Sequence, residues 1–370
     1  MKIAVLTSSR ADFGIYLPLL KQLQTDDFFS LEIIAFGTHL SKQHGYTINE
    51  IKNSDFRIVH EVDTPLHNKT AFDISNNIGE TINIFADFWS KNRYDYIIAL
   101  GDRYEMFAAV TATTPFVYKV AHLHAGETTL GAIDNIYRHA ISLMSQLLFV
   151  STDIYKVKAM EINPDAKTFN VGALSVENLK KIDFLDIESF KSKFNIDLSL
   201  PTILCTFHPE TVNLEKNSTY IRELLLSFSE LMKRYQVVIT LPNADTIGDM
   251  IKEIILDYGK KKPELKIIES FGMVGYLSCM RYCKMMIGNT SSGFVEAAFF
   301  PKWVINLGNR QDGRILTKNI INVPVDTLAI LKAVEDIESQ TDITFPSIYG
   351  DGETASKIIE ILKMEYKLNY

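Results

Sequence analysis

The chain is short of cysteine, short of positive charge and free of long apolar runs, and each shortage narrows what it can be. Only three cysteines occur in 370 residues, Cys205, Cys279 and Cys283. Cys279 and Cys283 are spaced as neighbours on one helix face, where core packing is the expectation ahead of a disulfide or a metal site. A reduced, cytoplasmic setting follows from that usage. The net charge of -7 and isoelectric point of about 5.7 argue against a general nucleic-acid binder, which needs clustered Lys and Arg. An anionic ligand would then require its basic groups to be gathered at one site. No apolar stretch approaches the roughly 18 residues that span a bilayer, so no membrane role is expected. The opening Met1-Lys2-Ile3-Ala4-Val5-Leu6 runs into polar Thr7-Ser8-Ser9-Arg10 and reads as a buried strand, not a signal peptide. Repeats and low-complexity segments are also missing.

What is present is apolar residue in quantity, 46% of the chain, enough for two cores. Short β-rich runs alternate with longer helical stretches, the pattern of a parallel α/β architecture. The first half offers strands at Lys2–Thr7, Leu31–Phe36, Tyr94–Leu100, Val120–His124 and Leu147–Ser151, with helices at Phe13–Gln24, Ala71–Ser90, Tyr104–Thr114 and Asn135–Gln146 between them. The pattern restarts with strands at Thr202–Phe207, Val237–Leu241, Lys266–Ile268, Lys284–Gly288 and Val304–Leu307. Helices around Tyr220–Arg234, Thr246–Tyr258, Val274–Tyr282 and Gly293–Phe300 separate them. The polar stretch Asp183–Leu200 ahead of Pro201 marks the change-over. The expected division is therefore a first domain of residues 1–175, joined by a final helix at 352–370, and a second of residues 176–351.

In open parallel sheets ligands bind where strands end and helices begin. The chemically distinctive residues fall at those places. Ser8-Ser9-Arg10-Ala11-Asp12-Phe13-Gly14 follows the first strand; it is neither a GxGxxG fingerprint nor a Walker A loop, which removes the main support for NAD or ATP. Arg10 there reads either as a solvated loop residue or as a diphosphate ligand. Gly101-Asp102-Arg103-Tyr104-Glu105 follows the next; Asp102 is either a helix cap or a carboxylate facing a ligand. His122-Leu123-His124-Ala125-Gly126-Glu127 puts two histidines on one strand face, a spacing that can hold a metal, yet no HExxH or further ligand spacing completes such a site. No metal and no cofactor are expected. If a helix begins at Asn135, Asp134 stands at its N-cap and can pair with Arg138 one turn on. In the second half, His208 follows a strand in Phe207-His208-Pro209-Glu210, as do Asn243 in Pro242-Asn243-Ala244-Asp245 and Arg310 in Gly308-Asn309-Arg310-Gln311. Gly288-Asn289-Thr290-Ser291-Ser292-Gly293 offers hydroxyls and amides to phosphate, with Glu296 one turn into the next helix.

Taken in order, the motifs SSRADFG, LGDRYE, HLHAGETTLGAIDNIYRH, FHPET, PNADT, IGNTSSGFVEA and INLGNRQDGR resemble the hydrolysing UDP-N-acetylglucosamine 2-epimerases, above all the branch serving bacterial sialic-acid synthesis. They span residues 8–314. The wider group often carries Glu where this chain has His124, a position at which the sialic-acid branch accepts His; the resemblance thus places the weight on Glu127. It implies two Rossmann-like domains with an interdomain cleft, as in GT-B glycosyltransferases, and UDP held chiefly by the second domain. Carried over by motif, Arg10, Ala11, Gly14 and Arg103 should line the diphosphate and sugar side. His208, Asn243, Phe271, Thr290, Ser291, Glu296 and Arg310 should hold the nucleotide. Asp102, Glu127, Asp134, Arg138 and His208 are the residues implied for the chemistry.

That chemistry would be loss of the C2 proton as UDP leaves C1, then hydration of the 2-acetamidoglucal with reprotonation of C2 on the opposite face. Free N-acetylmannosamine and UDP are the expected products, and a homo-oligomer, dimer or tetramer, is the form usual among relatives. The same motifs also fit the reaction on UDP-2,4-diacetamido-2,4,6-trideoxyglucose, used for legionaminic acid. A non-hydrolysing epimerase and, more remotely, a GT-B glycosyltransferase are the other readings.

Overall fold

The computed structural model describes residues 1–42, 45–57, 59–67, 70–212, 214–242, 248–340 and 348–369. By their contacts they form two compact units: Met1–Glu127 with Asp134–Lys180 and Ile348–Tyr370, and Thr128–Ile133 with Lys181–Ser347. Six residues between Glu127 and Asp134 thus group with the second unit.

The strands of the first unit are β1 (Lys2–Thr7), β2 (Ser30–Phe36), β3 (Val59–Val62), β4 (Tyr96–Leu100), β5 (Val120–Leu123), β6 (Leu147–Val150) and β7 (Lys167–Asn170). They pair in the order β3-β2-β1-β4-β5-β6-β7, all parallel. Its helices are α1 (Arg10–Thr25), α2 (Ile48–Lys52), α3 (Ala71–Lys91), α4 (Tyr104–Thr111), α5 (Asp134–Leu143), α6 (Asp153–Ile162) and α7 (Leu174–Lys181). The second unit follows with α8 (Ile187–Phe194), β8 (Thr202–Thr206), α9 (Asn217–Leu231), β9 (Gln236–Thr240), α10 (Gly248–Lys261), β10 (Lys266–Ile268), α11 (Gly272–Tyr282), β11 (Met285–Gly288), α12 (Glu296–Phe299), β12 (Trp303–Leu307), β13 (Ile320–Val323) and α13 (Thr327–Glu338). Its sheet, β10-β9-β8-β11-β12-β13, is parallel throughout. The last helix, α14 (Thr354–Asn369), returns to the first unit.

Central strands are apolar on both sides because helices cover both faces. In the first unit Ile3, Val5 and Ile33 pack with Tyr16, Leu19 and Leu20 of α1 and with Ile358 and Leu362 of α14. On the other face Ala4, Leu6, Ile34 and Ile97 pack with Phe85 and Trp89 of α3 and Met106 of α4. Each such Ile, Leu, Val, Phe or Met side chain contributes about 1.5–3 kcal/mol through burial. The second unit repeats the plan, with Ile203, Cys205, Ile239, Ile287 and Ile305 against Leu224 and Phe228 of α9, Ile251 of α10 and Val334 of α13. All three cysteines are buried and free.

In each sheet the order reverses once, between β1 and β4 and between β8 and β11. Just beyond the carboxyl ends of such strands the loops diverge and leave room for a ligand. The second reversal requires a glycine: Gly288 has φ +148, and a Cβ on it would lie 2.0 Å from the Thr206 carbonyl oxygen. Among the described residues, no helix is long and apolar enough to cross a membrane.

Candidate active site

In the first unit the polar groups gather where β1, β4 and β5 end. The loop after β1 is organised by one buried carboxylate. Asp12 accepts from the Thr7 hydroxyl (2.8 Å), the Ser8 amide (2.8 Å) and the Ser9 amide (2.9 Å), closing a capping box with Ser9 at the start of α1. Arg10 is thereby the first residue of α1. Its guanidinium lies 2.9 Å from Glu50, with both side chains nearly half exposed. Ala11 is exposed beside it, while Gly14, one turn on, accepts from Asn178 of α7 through its carbonyl (2.8 Å).

After β4, Asp102 does not cap α4. Arg103 holds the N-cap position without a side-chain capping bond and instead pairs with the Glu105 carboxylate of α4 at 2.9 Å. Asp102 is ion-paired with the buried Arg138 of α5. Arg138 also donates to the His124 carbonyl (3.0 Å) and stands 3.9 Å from Glu127. Arg138 therefore bridges the ends of β4 and β5. Asp134 opens α5, half-buried, one turn before it, and helps to hold the Tyr137 phenol above its ordinary range, after burial as the main cause.

The two histidines of the β5 motif, expected on one strand face, part company. β5 stops at Leu123, and His124 turns into the left-handed region at φ +64, a strained conformation for a residue with a side chain. His122 is fully buried between the Ser142 hydroxyl (2.9 Å) and the Gly101 carbonyl (2.8 Å). A carbonyl only accepts, so Nε2 carries the proton and Nδ1 accepts from Ser142. Burial lowers the His122 pKa to about 3, and neither nitrogen is left for a metal. No group of three or more His, Cys, Asp or Glu suited to a metal occurs among the described residues. His124 has a different partner, Glu127, at 2.9 Å. Glu127 is 2% exposed and also accepts from Ser151 after β6 (3.3 Å). The chain can bring these two together because Gly126, at φ +73, passes against α6, where a Cβ would lie 2.2 Å from the Tyr155 carbonyl oxygen.

In the second unit His208 follows β8, and its backbone is held by Asn289 after β11: the His208 amide donates to Oδ1 (2.7 Å) and Nδ2 donates to the His208 carbonyl (2.8 Å). Beside them runs a row of hydroxyls, Thr240 to Thr206 (2.7 Å), Thr206 to Tyr276 (3.4 Å), Tyr276 to Ser292 (2.7 Å) and Ser292 to Thr290 (3.2 Å). Burial raises the Tyr276 phenol above its ordinary range, so it stays a neutral hydroxyl. Ser291 is exposed at the start of a 3-10 turn over Ser291–Gly293, and the helix expected from Gly293 begins only at Glu296, which is its first residue. After β12, Arg310 donates to the Pro209 carbonyl (3.1 Å), and Glu210 accepts from the Asn309 amide (2.7 Å). The segment after Glu127 lies on the same loop: Leu130 donates to the Asp312 carbonyl (2.8 Å), and a Cβ at Gly131 would overlap Asn309 and Arg310 backbone.

Two expected nucleotide contacts stand apart. Asn243 lies outside the described residues. The Phe271 ring is buried among Phe190 and Phe194 of α8, at 5.3 and 4.8 Å between centroids, so its side chain serves the core and only its backbone is left for a ligand. Conversely, sequence reasoning passed over Asn289, Gln311, Ser151 and the pairing of His124. Asn289 and Gln311 sit inside the quoted motifs, which was the available signal.

Comparison with known proteins fits this geometry. Residues 21–363 match the family model described as UDP-N-acetylglucosamine 2-epimerase. A Campylobacter jejuni protein named GDP/UDP-N,N'-diacetylbacillosamine 2-epimerase (hydrolyzing) is 35% identical, over 92% of this chain and 88% of its own. A Legionella pneumophila protein named UDP-N,N'-diacetylbacillosamine 2-epimerase (hydrolyzing) is 32% identical, over 98% and 95%. The Neisseria meningitidis UDP-GlcNAc 2-epimerase, solved bound to UDP-GlcNAc, shares the fold with a TM-score of 0.81 at 19% identity, over 98% of this chain and all of that one.

Proposed function

The chain belongs to the UDP-N-acetylglucosamine 2-epimerase family, and from that premise we propose that it is a hydrolysing 2-epimerase that converts UDP-N,N'-diacetylbacillosamine, the 2,4-diacetamido-2,4,6-trideoxyglucose nucleotide, into UDP and the free 2-epimer. The observation that carries the reaction type is the convergence of Asp102, Arg138, Glu127 and His124 at neighbouring strand ends. Inverting C2 needs proton removal on one face and delivery on the other, and such work falls to acid–base groups held within hydrogen-bond reach of the substrate.

In this reading a base takes the C2 proton while the C1–oxygen bond breaks and UDP departs with the electron pair. Water then adds across the resulting double bond, its hydroxyl to C1 and a proton to C2. Asp102 and Glu127 exchange the protons, with Asp134 as the third carboxylate, and Arg138 orients Asp102. The departing diphosphate gathers charge, which Arg10, Arg103, Arg310 and the Thr290–Ser291 loop offset; His208 protonates it. Ala11, Gly14, Glu296 and the backbone at Phe271 line the substrate.

The sequence motifs point first to UDP-N-acetylglucosamine and the sialic-acid route. Two relatives above 30% identity that carry the diacetylbacillosamine name shift the choice of sugar. UDP-N-acetylglucosamine remains the second reading, favoured by a Neisseria meningitidis relative of that name, 24% identical over 358 residues. Incubating purified protein with each nucleotide in D2O and following products by NMR tests both. Free sugar, UDP and deuterium at C2 are expected, with faster turnover of the diacetamido substrate. Product lacking C2 deuterium, or still bound to UDP, would remove the mechanism.

A further inference from the structure

Asn289 is fully buried at the point where the second sheet reverses its order, between β8 and β11. Nothing in the reaction described above uses it, yet its side chain is committed at both ends to His208. A side-chain amide presents a donor and an acceptor in a single plane, and here it engages the amide and the carbonyl of one residue, as a neighbouring strand would. The backing continues beyond Asn289. Gln311 Nε2 donates to the Asn289 carbonyl (2.7 Å), and Arg314 Nε donates to Gln311 Oε1 (2.6 Å). His208, Asn289, Gln311 and Arg314 are all less than a tenth exposed. A buried polar chain of this kind is costly unless its members are satisfied, and satisfied it holds a single geometry. Apolar residues would close the strand ends with less at stake.

We propose that Asn289 is a positioning residue for His208, with Gln311 and Arg314 as its support. The proposal rests on the reading of His208 as the group that meets the leaving phosphate. Asn289 immediately precedes Thr290 and Ser291, so one residue sets the spacing between the histidine and the hydroxyl loop. Its side chain fixes the first, while the bond from Gln311 to its carbonyl fixes the second. The two functions are therefore separable by mutation.

The experiment is a double-mutant cycle of Asn289→Ala and His208→Ala, read by kcat, KM and UDP affinity, with 15N-histidine NMR of amide exchange. In Asn289→Ala, kcat falls about 10- to 100-fold, as displacement of a reacting group by about 1 Å produces. KM and UDP affinity stay within about threefold, because Gln311 still bonds the residue 289 carbonyl. In the His208→Ala background the second substitution costs less than about twofold, since residues acting as one unit are not additive. The His208 amide exchanges at least about tenfold faster once its acceptor is gone. Losses that multiply in the double variant, or unchanged exchange at His208, would overturn the proposal. Should Asn289→Ala fail to fold, Gln311→Leu enters the same cycle; there UDP affinity falls as well as kcat, and kcat alone falling refutes the division of roles. If the wild type turns over neither nucleotide, the functional reading fails and amide exchange alone decides the clamp.

Discussion

His124 Nδ1 stands 2.9 Å from Glu127 Oε1, and the histidine accepts a left-handed backbone at φ +64 to be there. Its Nε2 is buried with no hydrogen-bond partner among the described residues. A strained residue held by a nearly inaccessible carboxylate marks the pair as a candidate for chemistry. The weight placed on Glu127 from sequence thus extends to the pair.

Removing either carboxylate of this region tests its assignment. Asp102→Asn and Glu127→Gln are expected to lose turnover by about 10²- to 10⁴-fold while UDP affinity, measured by calorimetry, is retained. Wild-type turnover in both variants would dismiss the carboxylates as catalysts.

His122 supplies a pH signature of stability. Its folded pKa of about 3 lies below the ordinary 6.5, chiefly through burial. Between those values the unfolded chain binds a proton that the folded chain does not, so stability falls as pH drops through the window. His122→Gln, whose amide reaches about as far as the imidazole Nε2 and can still donate to the Gly101 carbonyl, should flatten the dependence of Tm on pH between about 6.5 and about 3. An unchanged slope would mean that other groups dominate.

Gly126→Ala should be severe for its size. The new methyl carbon would lie 2.2 Å from the Tyr155 carbonyl oxygen and 3.0 Å from the Ala159 nitrogen, both backbone, at φ +73. A fall in Tm of roughly 10 °C is expected, from strain plus displacement of α6. A Tm within about 2 °C of wild type would show that the loop gives way without cost.

Phe271→Leu separates core from ligand. Truncating a ring packed against Phe190 and Phe194 should destabilise the second unit by about 1–2 kcal/mol. UDP affinity should stay within about twofold, given that the ring is buried. A marked loss of affinity at unchanged stability would return the side chain to the binding site.

The sequence showed the centre of each sheet better than its margins. Central strands such as β1 and β4 are uninterrupted apolar runs because both faces are covered. Three edge strands went unread: β3 is VHEV, β7 is KTFN and β13 is IINV, half-exposed and mixed in polarity. An edge gains little from apolar residues and is protected by polar ones, so periodicity fades there. The candidate site residues were legible as polar clusters after strands, since parallel topology puts them there. Their partners were not. Arg138, read as a local companion of Asp134, reaches 36 residues back to Asp102, and such pairing is a property of tertiary packing alone.

The helix α14 places Ile358 and Leu362 in the core of the first unit, and Glu177 of α7 accepts from its Ala355 amide at 2.7 Å. That has a consequence for synthesis on the ribosome. Residues 181–347 of the second unit are translated before α14 exists, so the half of the chain made first must wait for the other with part of its apolar surface uncovered. The order of birth and the order of completion are opposite, and synthesis of α14, not emergence of residue 180, is the event after which the strand ends around Asp102 and Glu127 acquire a finished scaffold.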